Sequence, residues 1–383
     1  MSTDPSKQGP QPFAPVADFI VRARWLWVLM AVGLVAVSLA RIDQIWPPNP
    51  DARIFFAPEN PDRVALDRFE QTFNKNDNLI IAVEAKEGEV FTPKVLGAIG
   101  EITAEAWFLP FVRRVDSVTN FQHTYAQGDE MIVRDLVEDP GSVTQEGAAE
   151  AKEIALGRIE LVNFYVSPKA DVTQVQALFT LPGTDPTKEV PSIVAAMLDL
   201  QEKIEAKYPE IKLHLSGGIM INNQFSESGK QDSATLLGPM FIIILIIVGF
   251  AIRSILGTVS VLIVITLSAM GGLGALGWMG LPLNSVTVLA PLYIMTLAVA
   301  SAVHILSAVR QNMGLSADRK DWVRKALTDH MGAIMIACTT TAVGFLSLNF
   351  SISPPFRELG NTVAVGVMAA MLYTLTLLPA LIT

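Results

Sequence analysis

The sequence predicts an α-helical multi-pass membrane protein with six spans and one large α+β domain outside the cytoplasm. Of its 383 residues, 51% are hydrophobic and 17% are charged, and the mean hydropathy is +0.41. This composition is too apolar for a soluble protein and too charged for a chain that lies wholly in the bilayer. Six apolar runs approach or exceed the roughly 20 residues that a spanning helix needs. A polar, acidic stretch at 47–232 separates the first run from the other five.

The N-terminal region predicts a short segment followed by one membrane helix. Residues 1–23 are expected to be a cytoplasmic segment, and 24–46 to be the first transmembrane helix, with Trp25 and Trp27 as interfacial anchors. A cleaved signal peptide is the alternative, because arginines precede a short apolar run that ends in Ser38-Leu39-Ala40. Those arginines come late for a signal peptide, so the pattern favours a retained helix.

The acidic stretch at 47–232 predicts a folded domain in water. A strand–helix–strand pattern occurs in it twice, because β-branched runs flank helices whose apolar positions recur three or four residues apart. The predicted elements are 78–84, 92–108 and 111–118, then 174–181, 191–206 and 211–215. Two such units predict one split βαβ, ferredoxin-like domain. The stretch between them, 120–167, is expected to be a largely helical insertion.

The region 233–383 is predicted to hold transmembrane helices two to six. Its apolar runs are 236–252, 255–279, 283–309, 331–350 and 359–382. The second of the five runs carries Gly271, Gly272, Gly274 and Gly277, whose small size allows helix backbones to approach closely. With the helix at 24–46 they make six spans, which places both termini on one side of the membrane.

The distribution of charge orients these spans. From Arg41 to Asp232 the chain carries 18 Lys and Arg against 31 Asp and Glu, whereas the remainder carries 10 against 6. Short loops rich in Lys and Arg stay in the cytoplasm, so both termini are expected there and the acidic domain on the other side. The acidic centre also argues against a nucleic-acid partner. The basic residues expected on the side of the N-terminus are Arg22, Arg24, Arg253, Arg310, Arg319, Lys320, Arg324 and Lys325.

Ser301 and His304 are the candidate site residues of the fourth span. They are three residues apart, so a helix places them on neighbouring positions of one face. A histidine at membrane depth costs free energy unless it faces protein or water, which makes His304 a functional candidate. The alternative is that His304, about one turn from the helix end, reaches the lipid headgroups.

Other polar residues in the spans have both functional and structural interpretations. Thr339, Thr340 and Thr341 could line a path for ions or water, but membrane threonines more often bond back to their own helix. Glu358 begins the last span, where the helix dipole favours a carboxylate, and a capping role is expected.

The sequence predicts no enzyme activity, metal or cofactor. The single cysteine, Cys338, allows no disulfide framework. No Cys/His cluster has metal-ligand spacing, and no nucleophile–base constellation is present. The glycines at 271–274 lie inside an apolar run with no strand before them, so they do not form a nucleotide-binding loop. An ion gradient is the remaining energy source.

The plan of one span, an outside domain and five further spans resembles one half of a resistance-nodulation-division (RND) transporter. The resemblance is strongest to the hydrophobe/amphiphile efflux third family, which has the MMPL domain. Four segments carry it: FFAPENP at 55–61, DEMIVRDLV at 129–137, TTTAVGF at 339–345 and LLPAL at 377–381.

The resemblance implies a half-transporter of the bacterial inner membrane that moves lipid-like or hydrophobic molecules through a periplasmic porter domain. It implies contact with membrane lipids, and assembly as a homodimer or with a second six-span half. Family members commonly have an aspartate as the proton carrier where this chain has Ser301, while His304 matches the family's histidine. A serine hydroxyl does not titrate near neutral pH, whereas a histidine does. A non-transporting accessory or assembly subunit is therefore the alternative function.

Overall fold

A computed structural model describes residues 12–383, except 47, 50, 74, 76, 184, 233, 234, 237 and 315. The first eleven residues of the expected cytoplasmic segment 1–23 thus lie outside the described part. The chain forms two compact units. We call Met1–Pro58 with Ser226–Thr383 the helical unit, and Glu59–Phe225 the sheet unit.

The six described strands all lie in the middle of the chain, between Asp77 and Ser216, where helices separate most of them. The described elements before and after this region are helices. The helices are α1 (Ala14–Arg22), α2 (Arg24–Leu39), α3 (Pro61–Thr72), α4 (Pro93–Ala106), α5 (Gln145–Leu156), α6 (Pro186–Lys207), α7 (Gly218–Asp232), α8 (Gly238–Ile252), α9 (Ile255–Trp278), α10 (Ala290–Gln311), α11 (Arg319–Leu346), α12 (Pro354–Leu375) and α13 (Leu377–Ile382). The strands are β1 (Asp77–Ala85), β2 (Val112–Ser117), β3 (Gln122–Gln127), β4 (Glu130–Asp135), β5 (Val172–Phe179) and β6 (Ile211–Ser216).

The sheet unit is built on a four-stranded sheet of order β2-β5-β1-β6 in which all neighbours are antiparallel. Along β1 the buried residues alternate with partly buried ones, because only one face of the strand packs on the core. That face holds Leu79, Ile81 and Val83, and it shares a core with Ile99 and Ile102 of α4. Both strand–helix–strand units predicted from the sequence are present.

The stretch 120–167 is not largely helical, as the sequence led us to expect. It holds the hairpin β3–β4 as well as α5. The register pairs Gln127 with Glu130, so Gly128 and Asp129 form a two-residue turn, and Gly128 has φ +64°. Two-residue hairpin turns need residues that accept positive φ. The two-residue turn and the strand pairing on either side of it thus overrode the helical interpretation.

α4 and the end of α6 are joined by hydrogen bonds to Glu101. The Nζ of Lys207 donates to Glu101 Oε2 at 2.6 Å, and the hydroxyl of Tyr208 donates to the same oxygen at 2.7 Å. The bond from Lys207 holds the pKa of the Glu101 carboxyl below its ordinary value, and the same bond raises the pKa of the Lys207 amino group.

In the helical unit, α1 and α2 meet at an angle of 79°. α1 packs on α11, and Asp18 of α1 forms an ion pair of 2.8 Å with Arg324 of α11. The predicted first span corresponds to α2, whose 16 residues reach only roughly 24 Å at 1.5 Å per residue. α2 meets the length needed to cross a bilayer only when the bent pair is taken as one span.

Four helical segments of the described chain are long and apolar enough to cross a membrane. They are Ile255–Trp278, Thr287–Gln311, Arg319–Phe350 and Pro354–Ile382, and the bent pair would make a fifth. α8 is apolar but has only 15 residues. The total of six spans therefore stays a prediction, because the helices that correspond to the first two spans, α2 and α8, are short.

The glycines of α9 allow close packing, as expected. A Cβ at Gly274 would lie 2.5 Å from the Cβ and 2.7 Å from the Cα of Ser38 in α2, and one at Gly277 would lie 2.3 Å from the carbonyl oxygen of Arg41. Backbone atoms cannot move aside as a flexible side chain can, so both positions exclude larger residues.

We predict that Glu101→Gln alters how the stability of the sheet unit depends on pH. Because its pKa is lowered by folding, the Glu101 carboxylate stabilises the fold above about pH 4.3, the ordinary glutamate value, and this contribution is lost as pH falls through the folded-state pKa. The variant should show less protection of α4 against hydrogen exchange near neutral pH, relative to the intrinsic rate at each pH, and a smaller further loss of protection on acidification. Glu105→Gln, on the same helix, is the control, and equal behaviour of the two variants would contradict the prediction.

We predict that Gly274→Ala destabilises the helical unit by roughly 1–3 kcal/mol, the usual cost of overpacking. Thermal unfolding of the full chain in detergent, followed by tryptophan fluorescence, measures the change. Gly33→Ala in α2 is the matched control, since no atom lies within 4 Å of the added Cβ. The prediction fails if both variants unfold at the temperature of the parent.

Candidate functional site

Ser301 is packed inside the helical unit. α10 carries it, and the side chain is turned toward α11, so that the residue is only 9% exposed. Its Oγ lies 3.4 Å from the carbonyl oxygen of Leu297 and 3.5 Å from the Sγ of Cys338. The hydroxyl donates to its own helix, as buried serines in membrane helices commonly do. This is a neutral, satisfied environment.

His304 lies in a different environment. It is exposed, and no hydrogen bond to its ring occurs among the residues that the structure describes. Three residues along an α-helix turn the side chain direction by about 300°, so His304 points about 60° away from Ser301. The two predicted site residues thus lie on adjoining sides of α10, with Ser301 against α11 and His304 open. Their proposed roles stay predictions.

His304 belongs to an exposed stripe along α10. We define the α10 stripe as Tyr293, Thr296, Ala300, His304 and Gln311, all of which are exposed in the isolated chain. Their spacing is that of one side of a helix. A side that combines a phenol, a hydroxyl, an imidazole and an amide is poorly suited to lipid tails, since unpaired polar groups are costly there.

The three threonines of α11 do not converge with Ser301. The hydroxyl of Thr340 donates to the carbonyl oxygen of Ile336 at 2.8 Å, and that of Thr341 donates to Ala337 at 2.7 Å. Thr339 and Thr340 are exposed, and Thr341 is half-buried. Two of the three hydroxyls therefore bond back to their own helix, as membrane threonines commonly do. A role for the threonines in a polar path stays a prediction.

Glu358 does not cap a helix, in contrast to the expectation from the sequence. α12 begins at Pro354, so Glu358 lies beyond the first turn and no acidic residue occupies that turn. Its Oε2 instead accepts a hydrogen bond of 2.7 Å from the Nδ2 of Asn284.

Asn284 is the residue that the sequence reasoning missed. It is buried, and its Oδ1 accepts hydrogen bonds of 3.0 Å from the backbone N–H groups of Val286 and Thr287. One side chain thus holds the turn before α10 and pairs with Glu358. A carboxylate so close to an apolar run requires a partner, which was the available signal. His304 is 20 residues further along the chain, about four turns into α10.

The described residues offer no metal site, because no group of three or more His, Cys, Asp or Glu side chains converges within them. Three carboxylates lie in the four candidate spans, namely Asp321, Asp329 and Glu358. The two aspartates precede the apolar part of α11. Glu358 is the carboxylate of α12, and His304 is the histidine of α10.

We predict that Asn284→Ala destabilises the helical unit by roughly 1–3 kcal/mol, because it leaves a half-buried carboxyl and two turn N–H groups without their partner. Glu358→Gln should cost less, since the glutamine Oε1 can still accept the bond from Asn284. Thermal unfolding in detergent compares the two variants. A larger loss for Glu358→Gln would contradict this description.

Comparison with known proteins places these features in a family. A sequence profile of the MMPL family matches residues 57–383. The chain is 27% identical over 205 residues to a protein of Methanocaldococcus jannaschii named as a membrane protein, covering 52% of each. A similarly named protein of Streptomyces coelicolor is 25% identical over 75% of this chain and 42% of its own length. The siderophore exporter MmpL5 of Mycobacterium tuberculosis is 21% identical over 100% of this chain and 36% of its own. The chain thus spans about half, or less, of the length of these relatives.

Proposed function

The chain belongs to the MMPL family, and we propose that it forms half of an RND-type transporter that moves lipid-like or other hydrophobic molecules across or out of the membrane. The observation that carries this proposal is the family match at 57–383, which includes both the sheet unit and all of α8–α13. A protein of this family is a membrane transport protein and not an enzyme. The relative named as a siderophore exporter matches along the whole chain, which supports export as the direction.

The sheet unit supports the assignment of a porter domain. Its strand order, β2-β5-β1-β6, with one helix in each strand–helix–strand unit, is the arrangement of a ferredoxin-like fold. α3 has no buried residue, and its side chains Val64, Leu66 and Phe69 are exposed. The rings of Phe69 and Phe73 lie 4.8 Å apart. Exposed apolar surface of this kind fits a hydrophobic substrate.

The proposed topology places both termini in the cytoplasm and the sheet unit in the periplasm of a bacterial inner membrane. It takes α1 and α2 as one bent span and α8 as a short span, which gives six. The basic residues at the ends of α8, α10 and α11 support this orientation through the positive-inside rule. The absence of charge at 280–284 supports it from the opposite side.

Assembly with a second half, either another copy or a different six-span half, follows from the α10 stripe. In a lone chain the stripe would present His304 to lipid, which is costly. A partner helix packed on the stripe would remove this cost. Ser301 is already covered by α11, so the partner helix would bury His304 and leave Ser301 in its present environment. The greater length of the relatives is consistent with two halves.

Energy coupling in this half is proposed to be weak or lost. Ser301 cannot carry a proton near neutral pH, and its hydroxyl is engaged with the carbonyl of its own helix. The ring of His304 has no hydrogen-bond partner within the described residues. We therefore assign the proton work to the partner half. The second candidate function, an accessory or assembly subunit without transport, is favoured by the same neutral environment of Ser301.

The proposal predicts the behaviour of cells that lack this chain. They should accumulate a fluorescent hydrophobic amphiphile above the parental level, and the parent gene should reverse the accumulation. His304→Gln, which keeps hydrogen bonding and removes titration, should restore export as the parent does, because coupling resides elsewhere. Ser307→Ala in the same helix is the control.

Two outcomes would overturn parts of this proposal. Failure of His304→Gln, with membrane levels and the control intact, would show that this half carries the proton. No change in accumulation on deletion, with loss of an assembled partner complex, would favour the accessory function.

A further inference from the structure

Five helix ends meet at one edge of the helical unit and leave a crevice between them. The ends are the C-terminal ends of α8, α10 and α13 and the N-terminal ends of α9 and α11. The crevice has a volume of about 50 Å³ and opens to solvent. A recess of this size cannot hold a whole lipid, but a polar group can lie across its open mouth.

The crevice is amphipathic. Its floor is formed by buried Ile252, Val309 and Ile382. Arg310 and Arg319 lie at its rim. This combination of an apolar floor and a cationic rim does not suit a lipid tail or a small ion alone.

Trp322 adds an oriented aromatic ring to the rim. Its Nε1 donates to the carbonyl oxygen of Ser316 at 2.8 Å, and this bond holds the indole in place. Tryptophan is the residue enriched at the boundary between lipid tails and water. Its presence beside the helix ends marks the level of the headgroups.

The two arginines differ in how they are engaged. The Nη1 of Arg310 donates to the carbonyl oxygens of Ala251 at 2.9 Å and Ile252 at 3.1 Å. It thus satisfies carbonyls at the end of α8 that have no partner within the helix. Arg319 is exposed and pairs with no carboxylate among the residues that the structure describes.

Neighbouring charges do not neutralise Arg319. Arg324 holds Asp18 at 2.8 Å and Asp321 at 3.0 Å, so the aspartate nearest in the helix is already engaged. The Oδ1 of Asp318 accepts the backbone N–H of Lys320 at 3.0 Å. Arg319 is thus an uncommitted cation at the rim of an apolar recess.

We propose that this crevice binds the headgroup of an anionic phospholipid from the adjacent leaflet. The phosphate lies between Arg319 and Arg310, since guanidinium groups bind phosphate oxygens in pairs. The glycerol lies over Trp322, and an acyl chain continues along the exposed side chains of Leu256 and Met313. Basic pockets between helix ends at the cytoplasmic surface have this preference. The inference needs this edge to lie at a membrane surface, and it does not depend on transport.

The test measures lipid retention by the full chain. Native mass spectrometry in detergent would titrate the parent and its variants with phosphatidylglycerol and, separately, with phosphatidylcholine. The parent should retain phosphatidylglycerol preferentially. Arg319→Gln should weaken that retention roughly fivefold, the effect of one lost cation at a membrane surface. Lys320→Gln is the matched control, because it removes the same charge from a neighbour that does not line the crevice.

Further arms distinguish the possible results. Arg319→Lys keeps the charge and loses the paired donors, so an intermediate affinity supports the proposed geometry. If Arg319→Gln retains phosphatidylglycerol as well as the parent does, the proposed site is overturned. Equal losses for Arg319→Gln and Lys320→Gln would also overturn it, because the lipid would then respond only to the overall positive charge of this edge. Displacement of phosphatidylglycerol by millimolar inorganic phosphate would assign the crevice to a free anion and overturn the lipid proposal.

Discussion

The close approach of α9 to its neighbours is the constraint on which the helical unit depends. α9 contacts α2, α8, α10, α12 and α13, and a Cβ at Gly274 or Gly277 would collide with the backbone of α2 or the turn that follows it. Helices in lipid gain little from the hydrophobic effect between them and depend on such close packing. With α9 at the centre, α10 and α11 each keep one side exposed in the helical unit.

This arrangement separates the two residues of the candidate site. α11 covers Ser301 through Cys338, whereas His304, one turn further, stays open on the α10 stripe. A carboxylate at the position of Ser301 would meet a thiol and the carbonyl of its own helix, neither of which stabilises a negative charge. The packing around Ser301 is therefore unfavourable for an acidic side chain at this position.

The two ends of the bundle have different chemistry. At one end the Asn284 amide donates a hydrogen bond to the Glu358 carboxylate, near a loop without charge at 280–284. At the other end, Arg310 lies in the last turn of α10, Arg319 begins α11, and the Trp322 indole lies near them. This end therefore concentrates cationic side chains beside an apolar recess.

The sequence by itself determined the apolar runs, the two strand–helix–strand units and the family resemblance, because periodicity, composition and motif order are local properties of the chain. Only the tertiary structure decided what each polar side chain meets. The hairpin β3–β4 depends on pairing between strands, Glu358 depends on Asn284, 74 residues away in the chain, and Ser301 depends on Cys338 in the next helix. Helical spacing could place Ser301 beside His304, but it could not show which of them a neighbouring helix would cover.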